Sequence, residues 1–138
     1  MRLDTILRVA TKILLPFIIV FGLYVHFHAE LSPGGGFQAG VIVAAAVILY
    51  GLVFGMYAAQ RAFPPALAHT LGPLGVLVYM SAGIPALFSG REFLNFGVLM
   101  EKAAKGHHYG VIWVEIGVLF AVTGAMLSIF YALVERGR

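Results

Sequence analysis

The fold of this chain is decided by residues 26–40, which read HFHAELSPGGGFQAG. The stretch is polar and rich in glycine, and it separates two apolar stretches that are each long enough to cross a membrane. A hinge of this kind is costly in lipid unless packed protein or water satisfies its backbone. We therefore expect two membrane spans joined by a hinge. The hinge is the part of the chain that membrane spanning alone explains least well.

The composition of the whole chain places it in a lipid environment. Of its 138 residues, 61% are hydrophobic and 11% are charged, and the mean hydropathy is +0.96. An ordinary soluble domain has roughly 45–50% apolar and about 25% charged residues. The chain contains no cysteine, which excludes disulfides, iron–sulfur ligation and thiolate zinc sites.

Four apolar segments predict an all-α integral membrane protein that forms one domain over residues 1–138. The predicted transmembrane helices cover about 5–29, 37–60, 67–88 and 110–134. The apolar runs of the last three reach the roughly 20 residues that a bilayer demands, whereas the first helix is predicted to begin ahead of its apolar run, near Asp4 or Thr5. No run alternates with a period of two. Pro73 and Pro85 interrupt the third segment, and residues 92–105 of the last connection can form a short interfacial helix.

The distribution of Lys and Arg residues predicts the orientation. One side of the membrane receives six of them: Arg2, Arg8, Lys12, Arg61, Arg136 and Arg138. The other side receives three: Arg91, Lys102 and Lys105. Cytoplasmic loops carry the excess of positive charge, so we expect both termini in the cytoplasm.

Small residues recur at four-residue spacing along the second segment, where they would let helix backbones approach closely. They are Gly36, Gly40 and Ala44, followed by Gly51, Gly55 and Ala59. One interpretation is close packing within the four-helix unit, and the other is an interface with other subunits. The two interpretations are compatible.

Glu115 lies inside the fourth segment and is the first candidate for an ion path. A carboxylate in the middle of a membrane costs about 2.5–3.5 kcal/mol, so such a residue is a functional candidate by default. Two structural interpretations compete with this one. The acid can lie shallow and meet headgroups or a loop cation, or it can accept hydrogen bonds from a neighbouring helix as an anchor.

His26, His28 and Glu30 are further ion-path candidates at the end of the first segment. Histidine titrates near neutral pH, so a His–Glu cluster beside a water-filled break can relay protons or bind a cation. The alternating spacing places the three on one side only if the chain is extended there. As a metal site the pattern is weak, because it has three possible ligands and no second cluster. Interfacial placement, with hydrogen bonds to the glycine backbone, is the alternative.

The glycine run in the hinge is predicted to be a tight turn shaped for packing against partner subunits. The residues concerned are Pro33, Gly34, Gly35, Gly36, Phe37 and Gly40. The run lacks the Lys-Ser/Thr and the preceding strand of a phosphate loop, and it lacks the context of a dinucleotide fingerprint. Three glycines offer a backbone with little bulk against whatever packs above it.

The string HAELSPGGGFQAGVI at residues 28–42, followed by an alanine-rich helix, resembles the MnhB/MrpB family, one of the membrane subunits of the multisubunit Mrp (Mnh) sodium/proton antiporters. The segment from Trp113 to Val118, with Gly124, is similar to that family's pattern of aromatic residue, acid and Gly-Val. The family more often has aspartate where this chain has Glu115, which keeps the charge with one extra methylene. The resemblance covers nearly the whole chain from Ile13 to Leu133.

The resemblance implies a non-catalytic, multi-pass component of a large complex in a bacterial or archaeal cell membrane, where Na⁺ and H⁺ are transported. Its partners would be the other subunits, including large antiporter-like ones that carry the main proton relays; no cofactor and no nucleic acid are implied. The alternative is the equivalent subunit of a redox-driven pump of the membrane-bound hydrogenase type. A third hypothesis is a small autonomous carrier that works as a homodimer. An enzyme is not expected, because no nucleophile–base pair or metal constellation is visible.

Overall fold

The computed structural model describes residues 2–28, 35–93 and 103–137 of the chain. In these ranges all regular structure is helical. The helices are α1 (Arg2–Phe27), α2 (Gly36–Phe54), α3 (Met56–Ala62), α4 (Pro65–Ser81), α5 (Ile84–Phe88) and α6 (Ala103–Arg136). Four stretches are long and apolar enough to cross a membrane: Leu3–Phe27, Gly36–Phe54, Pro65–Phe88 and His108–Arg136. The prediction of an all-α chain with four apolar helices of spanning length is confirmed.

The second predicted helix is divided in two at Gly55. This residue has φ of 95°, a backbone conformation that residues with side chains rarely adopt, and it ends α2. Its N–H still donates to the carbonyl oxygen of Gly51 at 2.9 Å, so the last turn of α2 is closed. The next helix, α3, begins at Met56 and ends at Ala62, and Phe63 caps it ahead of Pro64.

The third predicted helix also consists of two pieces, and its prolines act differently. Pro65 occupies the first position of α4, where its missing N–H costs nothing, and Pro73 lies inside the same helix. Pro85 stands at the start of the short α5. The break between the pieces falls at residues 82–83, where the ring of Phe93 lies so close to Gly83 that any Cβ there would collide with it.

The first and fourth helices extend beyond their predicted bounds toward the N-terminus. Helix α1 begins at Arg2 and ends at Phe27, and α6 begins at Ala103. Residues 103–105 of the proposed interfacial helix therefore belong to α6, and Glu92 and Phe93 are not helical. The rest of that proposed helix lies outside the described residues.

Helix α6 is the centre of the bundle, with α4 on one side and α2 on the other. The Trp113 indole N–H donates to the Val78 carbonyl oxygen at 3.0 Å. At the other end, the Tyr131 hydroxyl donates to the Phe63 carbonyl oxygen at 2.7 Å. These two bonds show that α4 and α6 run antiparallel.

Helix α2 runs parallel to α6 and antiparallel to α1. Gly36 lies against Glu115, whereas Gly51 lies 15 residues later against Phe130. On the other side of α2, the Lys12 ammonium lies 5.7 Å from the centre of the Phe54 ring. Gly22 of α1 packs against Ile42 and Val43, which lie nearer the start of α2. The order across the bundle is therefore α1, α2, α6, α4.

The apolar core lies where α2, α4 and α6 meet. Its fully buried members are Ala44, Ala68, Leu127 and Tyr131. Helix α1 stands at the edge, and only 11% of its apolar window is buried, against 33% for α6. We call the end of the bundle where α1 ends at Phe27 and α2 begins at Gly36 the glycine end.

Candidate functional site

Glu115 lies at the glycine end of the bundle, close to one boundary of the apolar layer. It is two residues, about 3 Å along the axis, beyond Trp113 in α6. The Trp113 side chain is about half exposed, and its indole N–H also donates to Ser81 Oγ at 2.8 Å. Tryptophan with one apolar side and one hydrogen-bonded edge is typical of the membrane–water boundary. This position favours a shallow acid over one in the middle of the membrane.

The Glu115 carboxylate packs against the first residues of α2. A Cβ atom added at Gly35 would lie 3.2 Å from Glu115 Oε1. A Cβ added at Gly36 would collide with the backbone carbonyl oxygen of Glu115. Gly36 leaves no room for a side chain, so α2 can begin this close to α6 only with glycine there, and Gly35 lies beside the Glu115 carboxylate.

The start of α2 is a favourable place for a carboxylate. Gly35 is the N-cap of this helix and provides no side-chain hydrogen bond to it. The first backbone N–H groups of a helix have no partner within it, and they carry the positive end of the helix dipole. A negative charge there stabilises a helix by about 0.3–1 kcal/mol. The half-buried Glu115 can thus bind the start of α2 to α6, as the anchor interpretation expects.

His26 is the second notable group at the glycine end. Its side chain is 4% exposed, and its Nδ1 is the one buried side-chain nitrogen or oxygen without a hydrogen-bond partner in the described part of the chain. Gly22, one turn earlier, packs on Ile42, and the two helices are antiparallel. His26 therefore lies near the level of Gln38, in the first turns of α2.

His28 has a different environment from His26. Its Nδ1 lies 3.0 Å from the Tyr24 carbonyl oxygen, and its ring stacks on the Tyr24 ring at 4.0 Å between centres. The chain is still helical at His26, so the extended geometry that would align the two histidines does not occur there. Glu30 lies outside the described residues.

Besides Gly35, whose contact with Glu115 is given above, two more residues of the predicted turn pack inside the chain. Gly36 meets the backbone of Glu115, and a Cβ at Gly40 would lie 2.9 Å from the Cβ of Val122. The Gly40 carbonyl oxygen also accepts a hydrogen bond from Thr123 Oγ1 at 3.3 Å. Phe37 is instead 63% exposed on the far side of α2. Pro33 and Gly34 lie outside the described residues.

The contact between α4 and α6 is a feature that sequence reasoning missed. A Cβ added at Gly117 would lie 2.7 Å from the backbone nitrogen of Tyr79, and one at Gly75 would collide with the backbone of Ala121. The signal in the sequence is a set of small residues at spacings of three and four: Ala68, Gly72 and Gly75 on α4, and Gly117, Ala121 and Gly124 on α6.

The arrangement places one acid against a helix start, and in the part of the chain that the structure describes it does not form a metal centre. Among the described residues no three His, Asp or Glu side chains come together in a way that could bind a metal ion. Glu115 and His26 both lie around the first turns of α2, on opposite sides of that helix. The geometry provides one carboxylate, that of Glu115, against the N-terminus of α2. It also provides one buried imidazole, that of His26, at about the same level along the bundle.

Comparison with known proteins agrees with this architecture. A family model described as "Domain related to MnhB subunit of Na+/H+ antiporter" matches residues 6–128. The chain is 32% identical over 133 residues to "Putative antiporter subunit mnhB2" of Staphylococcus aureus strain MRSA252, and the aligned residues cover 94% of each protein. The protein of the same name from strain Newman is 30% identical over the same length. The chain thus belongs to the MnhB family of Mnh/Mrp-type Na⁺/H⁺ antiporter subunits, and it is a component of a transporter rather than an enzyme.

Proposed function

We propose that this chain supports the assembly of a multisubunit Na⁺/H⁺ antiporter without catalysing transport itself, and that its glycine end borders the sodium route. Its place is a bacterial or archaeal cell membrane, beside large antiporter-like subunits. The proposal rests on the contact between the Glu115 carboxylate and the start of α2. This contact places a charged group at a point where two helices of the bundle pack against each other.

The distribution of acids supports a role as one subunit among several. In the described parts of the four spans, Glu115 is the one acid that lies more than two residues from a span end, because Asp4 and Glu135 lie beside the ends. Carrying an ion across the bilayer takes a series of ionisable groups. A chain with one interior acid therefore needs partners that supply the others.

The assembly role is tested by purification from the native membrane. A tag at the C-terminus, mild detergent extraction and mass spectrometry should recover the chain with large antiporter-like subunits. Recovery with metal-cluster or hydrogenase subunits would assign the chain to a redox-driven pump instead. Recovery as a dimer of this chain alone would also overturn the proposal.

The route is tested with Glu115→Gln and Glu115→Asp in the assembled complex. The glutamine keeps the size and hydrogen-bonding oxygen of the side chain but removes its charge, whereas the aspartate keeps the charge. We expect Glu115→Gln to lower Na⁺/H⁺ antiport in membrane vesicles with subunit recovery unchanged, and Glu115→Asp to retain most of it. Antiport at the wild-type rate in Glu115→Gln would remove this carboxylate from the route.

A further inference from the structure

Two cations of α1 converge on one aromatic ring at the end of α2. The Arg8 guanidinium carbon lies 5.9 Å, and the Lys12 ammonium 5.7 Å, from the centre of the Phe54 ring. Arg8 and Lys12 are four residues apart in one helix, so their side chains are neighbours on its surface. Both are exposed, whereas Phe54 is half-buried. We call the open cleft that these three residues form between α1 and α2 the basic crevice.

The basic crevice carries more positive charge than its surroundings balance. Like charges four residues apart repel each other on a helix surface. Residues 1–12 contain three cations, Arg2, Arg8 and Lys12, and one acid, Asp4. The C-terminal end of α2 adds the negative end of a helix dipole, which equals only about half an elementary charge. An excess of positive charge is thus left in the crevice, and it favours an anion from outside the chain.

The position of the crevice along the bundle indicates which anion is nearest. Gly51 of α2 lies against Phe130 of α6, and Phe54 is three residues, about 4.5 Å, further along α2. The ring therefore lies slightly beyond the level of Tyr131, a residue type that is enriched at membrane–water boundaries. The polar headgroup layer begins directly outside the hydrocarbon core. The anions that surround the protein at this level are lipid phosphates.

The surface below the crevice is suited to acyl chains. Helix α1 stands at the edge of the bundle, and only 11% of its apolar window is buried. Ile13 and Phe17, which follow Lys12 toward the middle of the membrane, are 59% and 69% exposed. An acyl chain can therefore lie along α1 directly below a phosphate in the crevice. A phospholipid fits both parts of this surface, whereas a free phosphate ion fits only the upper part.

The two cations have complementary chemistry toward a phosphate. A guanidinium whose face lies over an aromatic ring keeps its N–H edge free, and that edge can donate two hydrogen bonds to one phosphate. The ammonium of lysine adds a compact point charge. Basic pockets beside transmembrane helices bind anionic headgroups in this way.

We propose that Arg8 and Lys12 hold the phosphate of an anionic phospholipid of the cell membrane over the Phe54 ring. The inference goes beyond the proposed function and does not depend on it, because the bilayer itself supplies the ligand.

Lipid crosslinking to the purified complex tests the proposal. The probe is phosphatidylglycerol with a photoreactive diazirine next to its headgroup, titrated into the complex in mild detergent, and mass spectrometry locates the crosslinks. We expect crosslinks on α1 around residues 8–17. They should saturate at a lower lipid concentration than those from phosphatidylcholine with the same diazirine, because its headgroup is neutral overall.

Arg8→Gln combined with Lys12→Gln removes both charges of the crevice. The matched control is Arg61→Gln combined with Arg136→Gln, which removes two charges from exposed positions at the same end of the bundle. We expect the first pair to raise the half-saturating concentration of phosphatidylglycerol about 30-fold, which corresponds to about 1 kcal/mol for each cation. The control pair should leave it nearly unchanged. If the first pair is not recovered in the complex, each single replacement should raise it about fivefold.

Three results would overturn the inference. Equal half-saturation by the two lipids, or an equal change in both double variants, would show that the crevice does not select an anionic headgroup. Loss of the crosslinks in excess inorganic phosphate, but not in potassium chloride of the same ionic strength, would assign the crevice to a free anion. Release of another subunit from the Arg8 and Lys12 variant, with lipid crosslinks unchanged, would assign it to an acidic side chain of that subunit.

Discussion

His26 combines two properties that normally exclude each other: its ring is almost fully buried, and its Nδ1 has no partner among the described residues. Leaving a buried polar group unsatisfied costs about 1–3 kcal/mol. A side chain whose only purpose was to fill space would avoid that cost by being apolar. The imidazole at this position is therefore a candidate for taking up a proton or hydrogen bond during transport.

The replacement His26→Leu separates transport from packing. Leucine is of similar size and has no polar atom, so we expect the melting temperature of the complex to stay equal or to rise. We expect Na⁺/H⁺ antiport in vesicles to fall, because the titratable group is gone. His69→Leu, at an exposed position in α4 near the other end of the bundle, should change neither quantity. Wild-type antiport in His26→Leu would show that the ring only packs.

The sequence identifies the chemical groups of the site but not their neighbours. Glu115 stands out because it is an acid inside an apolar run, and its two structural interpretations both follow from that pattern. Its contact with Gly35 joins residues that are 80 positions apart, so no local pattern contains it. The alternating spacing of His26 and His28 suggests one cluster, yet the helix continues past the first of them and gives each its own surroundings.

At the level of the helices, apolar length predicts the spans but not their interruptions. Gly51, Gly55 and Ala59 have the spacing of one continuous stripe, yet the positive φ of Gly55 ends α2 there. In the third span the prolines are the expected weak points. The break lies at residues 82–83, directly ahead of Pro85 at the start of α5, and the Phe93 ring occupies the space of a side chain at Gly83. The exact places of both breaks depend on backbone conformation, which hydropathy does not report.

The glycines between α4 and α6 give a prediction with an internal control. A Cβ at Gly75 would collide with the backbone of α6, whereas a Cβ at Gly72, one turn earlier on the same helix, would meet nothing within 4 Å. Overpacking of this kind costs about 1–3 kcal/mol, and alanine favours a helix over glycine by up to about 1 kcal/mol. We expect Gly75→Ala to lower the melting temperature and Gly72→Ala to leave it equal or higher.

Thermal unfolding of the purified complex, followed by loss of this chain from it, measures both variants. The comparison is sharp because the substitution, the helix and the neighbouring helix are the same. If the two variants unfold at the same temperature, the close approach of α4 and α6 is not what holds this part of the bundle together.

At the scale of the whole molecule, the bundle has the dimensions of a bilayer. From Trp113 to Tyr131 in α6 the helix rises about 27 Å, close to the roughly 30 Å of a hydrocarbon core. Both side chains are hydrogen-bonded to the α4 side, one near each end of that helix. At the end away from the glycine end, the Arg8 guanidinium lies 5.9 Å from the centre of the Phe54 ring, which places its charge beside the end of α2.

These positions lead to a prediction about orientation. Four spans place both termini on one side, and the excess of Lys and Arg lies on that side, so we expect it to be the cytoplasm. Because the chain has no cysteine, single replacements at the exposed Glu92 and Gly137 place one thiol of this subunit on each side in turn. A membrane-impermeant maleimide applied to intact cells should label Glu92→Cys at once and Gly137→Cys only after permeabilisation. The reverse pattern would invert the orientation, and labelling of both from outside would contradict four spans, since residues 92 and 137 would then share a side.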